Sequence, residues 1–265
     1  MRKANRIRAF RRNRIILFFF CILAINVLDF QSRNIQEPYL YGKALQSAWS
    51  ENFLYQESFA RQIFAILAFL VPSFFIADVF VEDERQGLQV ILFTKTSRKH
   101  YIWASYWSNF LYSGFFIMLI PLVNVLLWLL IRPAFPLNYV SANMLNSYLG
   151  VDLILLHPAL YLGAYLLFIF FIGGIIGSLS LMINTMTNNA YMGLAGIFVF
   201  DLFIQLGREI LSSVFRTKLS FSTLSQLLSM HLRFDRFGTT TYILIMFLLP
   251  LIYFQVLSKG THVLE

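Results

Sequence analysis

Charge is scarce in this 265-residue chain, where Asp, Glu, Lys and Arg make up only 13% of the sequence. A water-soluble domain carries about twice that share, so a solvated surface over most of the molecule is excluded. Cysteine is nearly absent. Cys21 stands alone in an apolar run, which rules out an internal disulfide and a thiolate metal cluster. His100, His157, His231 and His262 are scattered without metal-ligand spacing, so no metal site is expected. Also missing are G-x-x-x-x-G-K-[ST], H-E-x-x-H and G-x-S-x-G. The chain is therefore not expected to be an enzyme, nor to hydrolyse ATP through a phosphate loop of its own. The acids Glu82-Asp83-Glu84 would suit a membrane protease only with histidines on neighbouring spans, and none of the four is so placed.

What is abundant is apolar. Hydrophobic residues make up 58% of the sequence, aromatics 17%, and Phe alone occurs 29 times. An integral membrane protein follows. The formal charge of +8 is assigned to topology and anionic lipid rather than to nucleic acid.

Six apolar segments stand out, at about 15–28, 59–81, 101–131, 160–183, 190–206 and 241–257. Crossing a bilayer takes roughly 20 residues, so the first and last are marginal. The third is overlong and must tilt, kink at Pro121 or begin in the interface. No repeat or flexible linker divides the chain, and residues 1–265 are expected to form one all-α membrane domain. Arg2, Lys3, Arg6, Arg8, Arg11, Arg12 and Arg14 precede the first span and hold the N-terminus in the cytoplasm of a cell-membrane protein. Six spans return the C-terminus to the same side. The basic head, with Ile7 and Phe10 among its arginines, suits an interfacial helix or a disordered tail. No small-x-small site follows Leu28, so the first helix is read as retained rather than as a cleaved signal. Residues 137–156 and 210–232 mix apolar with polar residues and suit helices in the outer interface.

The most informative stretch is the polar interruption between the second and third segments. It runs Glu82-Asp83-Glu84-Arg85-Gln86-Gly87-Leu88, then Thr94-Lys95-Thr96-Ser97-Arg98-Lys99. Over residues 84–94 the spacing predicts a short amphipathic helix, since Leu88, Ile91 and Leu92 share one face. Acids at its start and bases after its end complement the helix dipole. An ordinary interfacial helix would satisfy the same pattern.

This layout resembles the membrane (permease) subunits of type-2 ABC transporters. That family has six spans, both ends inside and a basic elbow before the first span. Between spans two and three it has an acid, a glycine, an apolar stretch and an arginine opening the next span. Here these are Glu84, Gly87, Leu88 with Ile91-Leu92, and Arg98. The chain departs from the pattern where Leu88 directly follows Gly87 and where no proline precedes Arg98. The resemblance implies that Glu84, Arg85, Gly87, Leu88, Ile91, Leu92 and Arg98 couple the chain to a separate ATPase subunit that carries ATP and Mg. It further implies a dimer with a second copy or a related permease, and export of cargo between the two.

Within the spans, Asp201 calls for a partner, and Arg208, Arg61 and Arg132 are expected at similar depth. Asp78 should reach the inner interface or pair with a base. Asn109 and Asn124 suit interhelical hydrogen bonds. Gly173 and Gly177, with GxxxG spacing, suit close packing either within the chain or across a dimer seam. Two rivals stay open: a membrane scaffold that docks a soluble partner through the same loop, and a transporter or channel that needs no ATP.

Overall fold

In the computed structural model, residues 12–32, 47–54, 58–75, 77–88, 96–134, 151–189, 191–215, 221–228 and 236–259 are described. All regular structure among them is helical. In chain order the helices are α1 (Arg12–Gln31), α2 (Ala48–Glu51), α3 (Phe59–Phe75), α4 (Val79–Arg85), α5 (Arg98–Ile131), α6 (Val151–Leu156), α7 (Pro158–Thr187), α8 (Met192–Phe215), α9 (Leu224–Leu227) and α10 (Arg236–Lys259).

Four of these, in α1, α5, α7 and α10, are long and apolar enough to cross a membrane. The first and last, marginal by sequence, run 20 and 24 residues. Their polar ends, Arg12-Asn13 and Arg236 among them, continue the helix beyond the greasy stretch. α5 continues through Pro121 and runs 34 residues, or about 51 Å. Proline has no N–H to give the Ile117 carbonyl, and the helix carries on beyond that one missing bond. The apolar exterior is extensive: Phe20 is 66% exposed, Leu167 66% and Phe203 69%. Side chains of this kind around most of a protein's girth require lipid.

The long helices alternate in direction between two ends. At one end, here called the base, lie the start of α1, the end of α3, all of α4, the start of α5, the α7–α8 turn and the end of α10. Arg14, Asp78, Asp83, Tyr101 and Asn184 join them there. At the far end, α1 and α5 meet through Asn26, Asp29, Asn124 and Trp128. Two short segments, 47–54 and 221–228, are tucked among the far ends of the helices. Phe53, Leu54, Leu224 and Leu227 are wholly buried.

α5 and α7 form the central seam. Gly114, Gly173, Gly174 and Gly177 leave no room between them. A Cβ at Gly173 would lie 3.0 Å from Ile117 and one at Gly174 2.6 Å from Phe110, while one at Gly177 would strike Ser113. Asn109 Nδ2 donates to the Gly177 carbonyl at 2.6 Å, a bond the close approach makes available. Gly173 and Gly177 thus face α5 of the same chain.

The far-end segments differ from expectation. Helical spacing at Ile210, Leu211, Val214 and Phe215 suggests a separate interfacial helix, but these residues form the last turns of α8. The chain then returns inward as 221–228. Within 137–156, α6 is helical and 137–150 lie outside the described residues, as does the basic head before Arg12.

Candidate functional site

The site is the basal elbow, built around the break between α3 and α4. Pro72 sits in the last turns of α3, and Ala77 N bonds back to its carbonyl at 3.2 Å, one residue wider than an α-helical bond. The chain turns there and restarts as α4. Asn184, wholly buried near the end of α7, fixes the corner. Its Nδ2 donates to the Ala77 carbonyl at 2.9 Å, and its Oδ1 accepts from Gly193 N at the start of α8. One side chain thus satisfies a backbone acceptor and a backbone donor that the break and the turn leave open.

α4 is held from three other directions. Arg14 of α1 forms a two-pronged pair with Asp78, Nη2 to Oδ2 at 2.6 Å and Nη1 to Oδ1 at 3.3 Å, and reaches Glu82 at 4.0 Å. This is the basic partner expected for Asp78. Asp83, wholly buried, accepts from the Tyr101 hydroxyl of α5 at 2.9 Å. Arg85 Nη2 donates to the Asn188 carbonyl at 2.8 Å. Asn188 ends α7 in the left-handed region at φ 49°, where Asn is tolerated better than most residues.

The start of the predicted 84–94 helix is corrected. Glu84 and Arg85 belong to the end of α4, which stops before Gly87 at φ +66°. Gly87 N closes the terminus on the Glu84 carbonyl at 3.0 Å. This is a left-handed glycine ending a helix, so Glu84 and Leu88 do not share a helical face. Helix resumes at Leu88, while 89–95, with Ile91 and Leu92, lie outside the described residues. Ser97 caps α5 by accepting from His100 N at 3.3 Å, which makes Arg98 the first residue of that helix. Glu84, Arg85 and Gly87 are exposed, and Leu88 and Arg98 half-buried. The elbow is anchored on its inner face and open on its outer one.

Asp201 belongs elsewhere. The expected ion pair with Arg208 is not formed, because Asp201 takes neutral donors from the returning segment and α10. These are Leu224 N at 3.0 Å, Ser225 Oγ at 2.6 Å and the Tyr242 hydroxyl at 3.4 Å. Arg208, two turns further along α8, donates instead to the Phe221 carbonyl at 2.6 Å and to Gln226 Oε1 at 2.9 Å. Sequence reasoning missed three members of the elbow: Arg14, Tyr101 and Asn184. The only signal was their polarity at the ends of apolar runs, and nothing local says which distant group each will meet. No cluster of metal-ligating side chains occurs among the described residues. No protein-family model, no curated protein and no solved structure matches the chain.

Proposed function

We propose that this chain is the membrane subunit of a type-2 ABC exporter, working as a dimer with separate ATPase subunits in the cell membrane. In this reading α1, α3 with α4, α5, α7, α8 and α10 are six spans, the base faces the cytoplasm and both termini are inside. The chain itself carries out no chemistry. Its task is to change shape when a nucleotide-hydrolysing partner pulls.

The observation that supports this most is the double character of the elbow. Its inner face is bonded to three different long helices through Asp78, Asp83 and Arg85. Its outer face presents Glu84 and Gly87 to solvent. A force applied at residues 84–88 is thereby shared among α1, α5 and α7 rather than absorbed by one loop. Charged groups at the end of α4 would set the register of a partner's groove.

The test is co-purification with a candidate ATPase that carries G-x-x-x-x-G-K-[ST], followed by ATPase assays. Glu84→Ala and Gly87→Pro should reduce coupled ATP hydrolysis several-fold while the membrane body stays folded. If both keep assembly and full coupled activity, the elbow is not the coupling site. Assembly without hydrolysis even in the wild type would favour the scaffold.

A further inference from the structure

The returning segment 221–228 is a strap tied down by side chains of three long helices. Ser222, Thr223, Leu224, Leu227 and Leu228 are buried, so the backbone groups there must find partners within the protein. Ser222 N donates to Thr239 Oγ1 of α10 at 3.2 Å, and the Leu227 carbonyl accepts from the Tyr165 hydroxyl of α7 at 2.9 Å. Leu224 N and Ser225 N donate to the two carboxylate oxygens of Asp201 in α8, at 3.0 and 3.4 Å. Asp201 is 2% exposed, and the donors it meets are all neutral. A polar route reaches it from a more open position. Ser225 Oγ donates to Asp201 Oδ2 at 2.6 Å and accepts from Gln205 Nε2 at 2.8 Å. Ser225 and Gln205 are both half-buried.

The carboxylate is held between opposing effects. Burial works against its charge, while its donors support it. A proton passed through Ser225 to Oδ2 cancels the charge that strengthens the bonds from Leu224 N and Ser225 N, and it turns the Ser225 bond around. The ties from Thr239 and Tyr165 carry no charge and are untouched. Other titratable or charged groups on the surrounding elements are few among the described residues. Tyr242 of α10 donates to Asp201 at 3.4 Å. Tyr165 of α7 is spent on Leu227, with Tyr161 stacked on it and Arg61 of α3 close by. On α8 itself, Arg208 is spent on Phe221 and Gln226, and Glu209 is exposed. The strap itself contributes hydroxyls and amides only.

We propose that Asp201 is a proton-sensitive latch for the strap at 221–228. Ionised, it holds the strap against α8; protonated, it lets the strap loosen. The state of the far end then follows the acidity on that side of the membrane. Because the charged form makes the stronger bonds, protection of the strap is greatest at high pH and falls as pH falls. The latch depends on neither an ATPase nor a second copy of the chain, so its failure leaves the exporter reading standing, and the reverse.

The test is thiol labelling of the full chain in lipid nanodiscs, in a Cys21→Ser background. Leu228→Cys reports on the strap, since Leu228 is buried and its side chain makes none of the ties. Its rate with a charged methanethiosulfonate is divided by that of exposed Ser213→Cys, which corrects for thiol ionisation. The corrected rate should rise roughly tenfold between about pH 8 and about pH 5. Asp201→Asn keeps the shape and abolishes the charge, so its strap should react fast at both ends of that range. Should this variant not fold, Ser225→Ala removes the shortest bond to Asp201 and should raise the rate severalfold at the upper end. A corrected wild-type rate that does not change with pH would overturn the proposal. So would a pH response that persists in Asp201→Asn, which would assign it to another group such as His231, outside the described residues. A Ser225→Ala rate equal to wild type would do the same. An equal acid response at Ile169→Cys, in the core, would mean general unfolding and also overturn it.

Discussion

Arg14 and Asp78 carry the most charge-dependent contact at the base. Both are largely shielded, with side-chain exposures of 16% and 12%, and the guanidinium meets the carboxylate with two nitrogens. A hydrogen bond between charged groups in such a setting contributes about 1.5–3 kcal/mol. A double-mutant cycle of Arg14→Ala and Asp78→Asn, read by thermal unfolding in detergent micelles, should give a coupling energy in that range. Arg14→Lys should recover only part of it, because an ammonium cannot present the planar fork. A coupling near zero would mean that the pair is screened and leaves the elbow unanchored at α1. Asp78 was legible in the sequence as a carboxylate needing a base near the end of a span. Arg14 was not legible as that base, because six other basic residues also precede the first apolar run. Only the packing of α1 on α3 selects it.

At the scale of the elements, the α5–α7 seam is written in small residues. Gly163 and Gly177 both lie in α7, yet a Cβ at Gly163 meets nothing within 4 Å, whereas one at Gly177 would strike Ser113. Gly163→Ala should be neutral or stabilise by about 0.4–1 kcal/mol through its lower unfolded-state entropy. Gly177→Ala should destabilise by about 1–3 kcal/mol through overpacking. Equal responses at the two sites, compared by the same melting assay, would mean that the seam can open to admit a methyl group. GxxxG spacing announced a close contact, and helical periodicity announced the long apolar helices. What the sequence left open was the partner, since Gly173 and Gly177 would serve α5 or a second subunit equally well. The boundaries of α8 and of the elbow were misjudged for a different reason. Beyond Leu206 the apolar spacing continues and α8 continues with it to Phe215, whereas across Gly87 the spacing also continues but the helix ends because the backbone turns left-handed there.

For the whole molecule, the proposed topology makes a sharp geometric demand. Glu84 and Ser213 lie toward opposite ends, the first on the basal elbow and the second near the far end of α8, and both are exposed. In a Cys21→Ser background, which removes the one native thiol, Glu84→Cys should react with a membrane-impermeant maleimide only in inside-out vesicles or permeabilised cells. Ser213→Cys should react in intact cells. The reverse pattern would place the elbow outside and remove it from any cytoplasmic ATPase.

The seam between α5 and α7 has a mechanical consequence. Two rods whose backbones approach through glycines, tied in register by Asn109 on the Gly177 carbonyl, resist slipping lengthwise and are suited to swing as one lever. α5 runs 34 residues, so a swing of about five degrees displaces one tip by about 4 Å relative to the other. In the proposed exporter, a tug on Asp83 would reach Tyr101 at one tip, and the stroke would be delivered beside Trp128 and Asp29 at the other, with no relay of side chains in between.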